Sequence, residues 1–333
     1  MSPRENRIAI VELLRGFAAM AVVVFHYSNS TIPSIKPNPL APIGEYGKHG
    51  VEMFFVISGF VIYLTLRRLR HAPSASDLGK FLLRRSIRVV APAWASLALT
   101  LAVYYGSYYF YKPLDFGWPP MTAGTAACNV FMCCSAASGH WINAVYWTLE
   151  VELCFYLSFS VLFYLWRGHA PKVVLSYFAF GVALWLSGSS RTFPMYALTF
   201  LVGVLLADVL VGEGKLAWWL PLALASLGIV YLEAGIRSVA FSAAAAVAIY
   251  ALYRAKLPDW ALFLGKVSFS LYLTHTLLAA LSESVLKRLL PLHHSAPGKV
   301  VMLLVYCAVA TAFSYVFYRV VEAPVVRRAR AIR

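Results

Sequence analysis

The chain is 333 residues long, 61% apolar and 13% charged, with a formal net charge of +15, and its mean hydropathy is +0.70. A water-soluble domain carries about a quarter charged residues, so composition excludes a soluble globular protein and makes lipid the solvent. The basic excess belongs to cytoplasmic loops before it belongs to a nucleic-acid surface, and nucleic acid is not an expected partner.

About 20 apolar residues cross a bilayer. That measure predicts ten spans, near 8–28, 49–66, 89–110, 144–166, 172–187, 193–211, 216–232, 236–253, 262–281 and 299–319. The fold class is therefore all-α, a polytopic transmembrane helix bundle, with one membrane domain over 1–333 and no appended soluble domain. The first segment holds Glu12 and Arg15 inside its apolar run and no small-residue cleavage site follows, so it reads as a span and not a signal peptide. The loop before the fourth span holds Cys128, Cys133 and Cys134. A bridge from Cys128 to Cys133 or Cys134 suits an oxidising compartment, and the cysteines show no zinc spacing. Placing both termini in the cytoplasm puts Arg4, Arg7, the run from Arg67 to Arg88, Arg167, Lys172, Lys215, Arg254, Lys256 and the tail from Arg327 to Arg333 inside. The positive-inside rule selects that orientation.

Ionisable side chains within spans cost a few kcal/mol or more, so they face the bundle interior or a water-filled cavity. Glu12 and Arg15 are one turn apart, and His26 follows Arg15 by almost three whole turns, about 16 Å along the axis. The first helix is thus expected to present Arg15 and His26 to one polar channel, toward opposite membrane faces. Glu52, Glu150, Glu152 and His275 fall near the outer end with His26. Arg84, Arg85 and Arg88 crowd the inner end, and two arginines three apart fork well onto phosphate oxygens. For Arg84 a lipid-headgroup contact is the simpler reading.

Several separated motifs resemble those of the membrane acyltransferase-3 family, whose bacterial members O-acetylate surface glycans and antibiotics. Glu12-Leu-Leu-Arg15-Gly16 with His26 is similar to the family's opening signature. Gly50-Val-Glu52-Met-Phe-Phe-Val-Ile-Ser58-Gly59-Phe60, Arg85-Ser-Ile-Arg88, Trp147-Thr-Leu-Glu-Val-Glu152 with Phe155-Tyr156, Ser268-Phe-Ser-Leu-Tyr272-Leu-Thr-His275 and Glu322-Ala-Pro324 follow in the family's order. Thr148 and Glu52 stand where Ser and Asp are usual, Trp94 stands where Tyr is common, and Pro92 lies one residue late.

The resemblance implies an O-acyltransferase of the bacterial inner membrane. It would move an acyl group, commonly acetyl, from cytoplasmic acetyl-CoA or another acyl-CoA to a hydroxyl of an extracytoplasmic or lipid-linked glycan. Acyl-CoA is then a co-substrate, with no tightly bound cofactor and no metal. His26 is the implied catalytic base or transient acyl carrier, and Glu152 the carboxylate that orients it. Arg15, Arg85 and Arg88 are implied to bind the donor phosphates. Ser58 and Gly59 either approach the donor's pantetheine arm or pack helices as small residues do. Glu12, Glu52, Trp147, Tyr272 and His275 are supporting residues; His275 is a second proton handler, an acceptor contact or a satisfied bundle histidine. A transporter or flippase for a lipid-linked glycan or acyl group is the rival reading, since carriers also use intramembrane His, Glu and Arg. The Gly/Pro-broken paired spans of inverted repeats are not found.

Overall fold

The structure is a computed structural model that describes residues 8–69, 73–110, 122–137, 139–188 and 192–332. Arg4, Arg7, Arg70 and Arg333, assigned above to the inner side, lie outside them. A chain in hydrocarbon must satisfy its backbone amides internally, by helices or a closed barrel, and the described residues form helices and no strand. In chain order these are α1 (Ala9–His26), α2 (Ala41–Gly44), α3 (Gly50–Arg67), α4 (Ala75–Phe110), α5 (Ala123–Val130), α6 (Trp147–Leu165), α7 (Ala170–Leu186), α8 (Thr192–Val211), α9 (Leu216–Leu252), α10 (Phe263–Leu289), α11 (Ala296–Phe317) and α12 (Ala323–Ala331).

Eight of the described helical segments are long and apolar enough to cross a membrane, and α7 is a shorter apolar helix of 17 residues. The 37-residue α9 is broken at Gly235, whose φ of 79° and ψ of 178° suit glycine alone. Near its start Trp219 donates to Asp208 of α8 at 2.8 Å, and Tyr63 of α3 bonds the same carboxylate. Just past its end Tyr253 packs on Phe60 of α3, ring centroids 6.0 Å apart. Both ends thus return to the same part of α3, and α9 is a helical hairpin. Helices overlap every one of the expected segments.

Where the sequence suggested a basic loop before the third span, the helix already begins at Ala75. Ser74 and Asp77 form a reciprocal cap, Ser74 N to Asp77 Oδ2 at 3.0 Å and Asp77 N to Ser74 Oγ at 3.1 Å. Arg84, Arg85 and Arg88 therefore sit at fixed angles on a continuous helix.

Two glycine contacts set the core. A methyl at Gly59 would lie 2.0 Å from the Phe200 carbonyl oxygen, and one at Gly203 would lie 1.9 Å from that of Val56, so the α3 and α8 backbones touch. Gly16 and Gly265 do the same for α1 and α10; a methyl at Gly265 would meet the Glu12 carbonyl oxygen at 2.1 Å. Further along, Tyr27 OH donates to the His275 carbonyl at 2.8 Å. Helices α1 and α10 accordingly run side by side in the same direction.

Candidate active site

A cavity of about 240 Å³ lies among α1, α3, α4, α6 and α10. Its lining on α3 and just past that helix's end includes the stripe Phe54, Ser58, Val61, Thr65 and Arg68, residues three or four apart that share one helical face. Glu12 and Arg15 enter from α1, and Arg85 and Arg88 from α4. Thr148, Glu152 and Tyr156 come from α6, and Tyr272 from α10.

The charges there do not balance. Four arginines, at 15, 68, 85 and 88, face two glutamates, at 12 and 152. The only ion pairs within 4.0 Å among the described residues are Lys48 with Glu45 and His49 with Glu52, neither of them in the cavity. Arg85 donates to Thr65 Oγ1 at 2.7 Å. Glu152 accepts from Ser58 Oγ at 2.9 Å and from the Tyr156 hydroxyl. Its carboxylate is thus fixed in the cavity wall, within Coulombic reach of Arg85. Glu322 of the short turn before α12 accepts from Ser270 Oγ at 2.6 Å and lies within the same reach of Arg15 and Arg88. The Tyr272 hydroxyl is held by the Val145 carbonyl at 3.0 Å and Thr148 Oγ1 at 2.7 Å. Together these groups make an anion-receptive pocket whose lining also carries fixed hydroxyls and a carboxylate.

His26 does not line this cavity. It ends α1, half-buried, with its ring against His275 at a centroid distance of 5.2 Å. The expected shared channel is interrupted between Arg15 and His26, and the reason is local. Helix α3 begins on that face of α1: a methyl at Gly50 would lie 2.6 Å from the Ala18 carbonyl oxygen and 3.1 Å from Val22 Cγ2. The link between cavity and His26 runs instead along α10, where Tyr272 lines the cavity and His275, one turn on, touches His26.

The remaining expected residues divide. Arg15, Arg85, Arg88, Ser58, Glu12 and Tyr272 meet in the cavity with Glu152, which the structure does not bring to His26. Gly59 turns away to pack on α8. Trp147 stacks near Tyr196 and Phe55, at 5.5 and 6.4 Å between centroids. Glu52 is buried elsewhere, accepting from Ser238 Oγ at 2.7 Å and facing His49 Nδ1 at 3.1 Å. Glu150 caps the preceding loop, accepting from the backbone amides of Ser135 and Ala136 at 2.8 Å each. In that loop Cys128 is bonded to Cys134, and Cys133 is free. Thr65 and Arg68 were not singled out from the sequence, although their helical spacing from Ser58 is the signal that finds them. Tyr156 and Glu322 lay inside quoted motifs without an assigned role. No group of three or more metal-ligating side chains occurs among the described residues.

Compared with known families, the chain matches the acyltransferase-3 model, described as an acyltransferase domain, over residues 8–319. No curated protein and no solved structure matches it.

Proposed function

This chain belongs to the acyltransferase-3 family, and on that premise we propose that it carries an acyl group, commonly acetyl, from cytoplasmic acyl-CoA to a hydroxyl of an extracytoplasmic or lipid-linked glycan. The proposed setting is a bacterial inner membrane, and membership of an acyltransferase family favours the enzyme over the transporter reading. The observation that carries it is the cluster Arg15, Arg68, Arg85 and Arg88, which shares one cavity without an ion-pair partner among the described residues. Arginines retained unpaired in a membrane bundle answer to a polyanionic ligand, and the nucleotide end of acyl-CoA supplies pyrophosphate and phosphate oxygens. The same cavity is also lined by apolar residues and by Ser58, Glu152, Thr148 and Tyr272, a mixture suited to a pantetheine arm.

A thioester carries its own activation. The protein must bring the carbonyl to the acceptor hydroxyl and remove that hydroxyl's proton, a task suited to histidine near neutral pH. His26 takes this role. Glu152 acts on the donor side, balancing the arginines, and does not orient His26. Tyr272, which lines the cavity beside Phe54, is one turn from His275, the ring packed against His26, and on this side the proposal brings thioester and base together.

The test is purified protein given labelled acetyl-CoA and candidate glycans. Free CoA and labelled glycan are expected from the wild type and neither from His26→Ala, whose donor affinity stays intact. Substantial transfer by His26→Ala removes His26 from the mechanism. Donor binding that survives loss of both Arg85 and Arg88 removes the arginine assignment.

A further inference from the structure

His275 has no exposed surface. Its Nδ1 faces two carbonyl oxygens of its own helix, Tyr272 at 2.8 Å and Leu271 at 3.2 Å. Carbonyls only accept, so Nδ1 carries the hydrogen and Nε2 of the neutral ring is a bare lone pair. That buried Nε2 has no hydrogen-bond partner among the described residues, an uncommon state for a polar atom in a folded interior. The ring packed against His275 is that of His26, 5.2 Å away between centroids and tilted by 41°. No hydrogen bond joins the two rings in this structure. Nitrogens turned to face one another at this separation come within bonding reach, and hydrogen bonds of this kind often close only with substrate present.

The geometry points to His275 as the residue that positions His26: its Nε2 accepts the N–H of His26 and fixes the tautomer that leaves the other His26 nitrogen free for the acceptor hydroxyl. This rests on the reading of His26 as the base. The acceptor oxygen gives its proton to His26 and bonds to the thioester carbonyl carbon. The carbon–sulfur bond breaks, and the departing thiolate takes the proton back from His26 as the free thiol. His275 neither gains nor loses a proton.

The surroundings leave it this role. Tyr27, just past the end of α1, and Tyr272 of α10 pack on the His275 ring at 6.3 and 6.0 Å between centroids, and Tyr306 and Cys307 of α11 lie against Tyr27. No carboxylate comes within hydrogen-bond or ion-pair distance of either imidazole among the described residues. The register is set by the Gly16–Gly265 contact below and the Tyr27 hydrogen bond to the His275 carbonyl above.

Two variants test it. His275→Phe keeps the ring's bulk and removes Nε2, while His275→Gln returns an acceptor oxygen near the same place. Loss of kcat by at least about tenfold is expected for His275→Phe, less than the roughly 10²–10⁴-fold contribution of a general base itself, with donor affinity unchanged and much of the rate recovered in His275→Gln. Nitrogen-15 spectra of histidine-labelled protein should show one His26 tautomer in the wild type and a mixture in His275→Phe. Wild-type kcat with a single tautomer in His275→Phe overturns the proposal. So does an equal loss in both variants at wild-type donor affinity, because packing alone then explains it. An active His26→Ala variant strikes the base reading, whereas the tautomer spectra judge the His275 contact independently.

Discussion

At the scale of single residues, the arginine cavity makes the sharpest demands. Charge-assisted hydrogen bonds contribute about 1.5–3 kcal/mol each, so Arg85→Gln or Arg88→Gln should weaken acyl-CoA binding roughly ten- to a hundredfold by that principle. The check is titration calorimetry in detergent. Lysine at either position should recover only part of the affinity, because it restores the charge without the planar fork; full recovery would show that charge alone is read. Much of this cluster was legible beforehand. Arg15, Arg85, Arg88, Ser58, Glu152 and Tyr272 were each singled out by motif and now share one cavity. The pairing of Glu152 with His26 was not, because both fall near span ends on the sequence while the distance between them depends on how α6 is rotated against α1. Glu322 shows the same limit: some 300 positions from Arg15 in a chain of 333 residues, it becomes a neighbour only through the docking of α12 and α4.

At the scale of elements, helix existence was readable from apolar run length, and helix facing was not. Helix α8 is apolar on all sides, so no periodicity marks which stripe meets α3. The contact is fixed by Gly59 and Gly203, where any side chain would strike a backbone oxygen. Gly203→Ala should push α3 and α8 apart at a cost of roughly 1–3 kcal/mol for overpacking, seen as a lowered Tm in detergent; an unchanged Tm would mean the helices are free to separate. The loop before α6 offers a second case. Glu150→Ala leaves the amides of Ser135 and Ala136 without their acceptor, an expected loss of about 1–3 kcal/mol. Faster proteolysis between α5 and α6 should report it, with donor affinity near that of the wild type.

At the scale of the whole molecule, the rule that basic loops stay inside and the bonded pair Cys128–Cys134 are both met by the proposed orientation, which would put that loop on the oxidising side. Single cysteines placed at Ser135 and at Arg254 in a cysteine-free background should therefore label from opposite faces with an impermeant maleimide: Ser135→Cys in intact cells and Arg254→Cys only after lysis. Labelling of both in intact cells would refute the topology. The first turn of α3, seated on Ala18 and Val22 of α1, has a consequence at this scale as well. A wet path lined by guanidinium and imidazole groups from one face to the other would conduct ions, each charge releasing about 2.3 kcal/mol per 100 mV of membrane potential. The cavity at Arg15 stops short of His26, with the Gly50 contact between them, so the packing of α3 on α1 works against leakage of that kind.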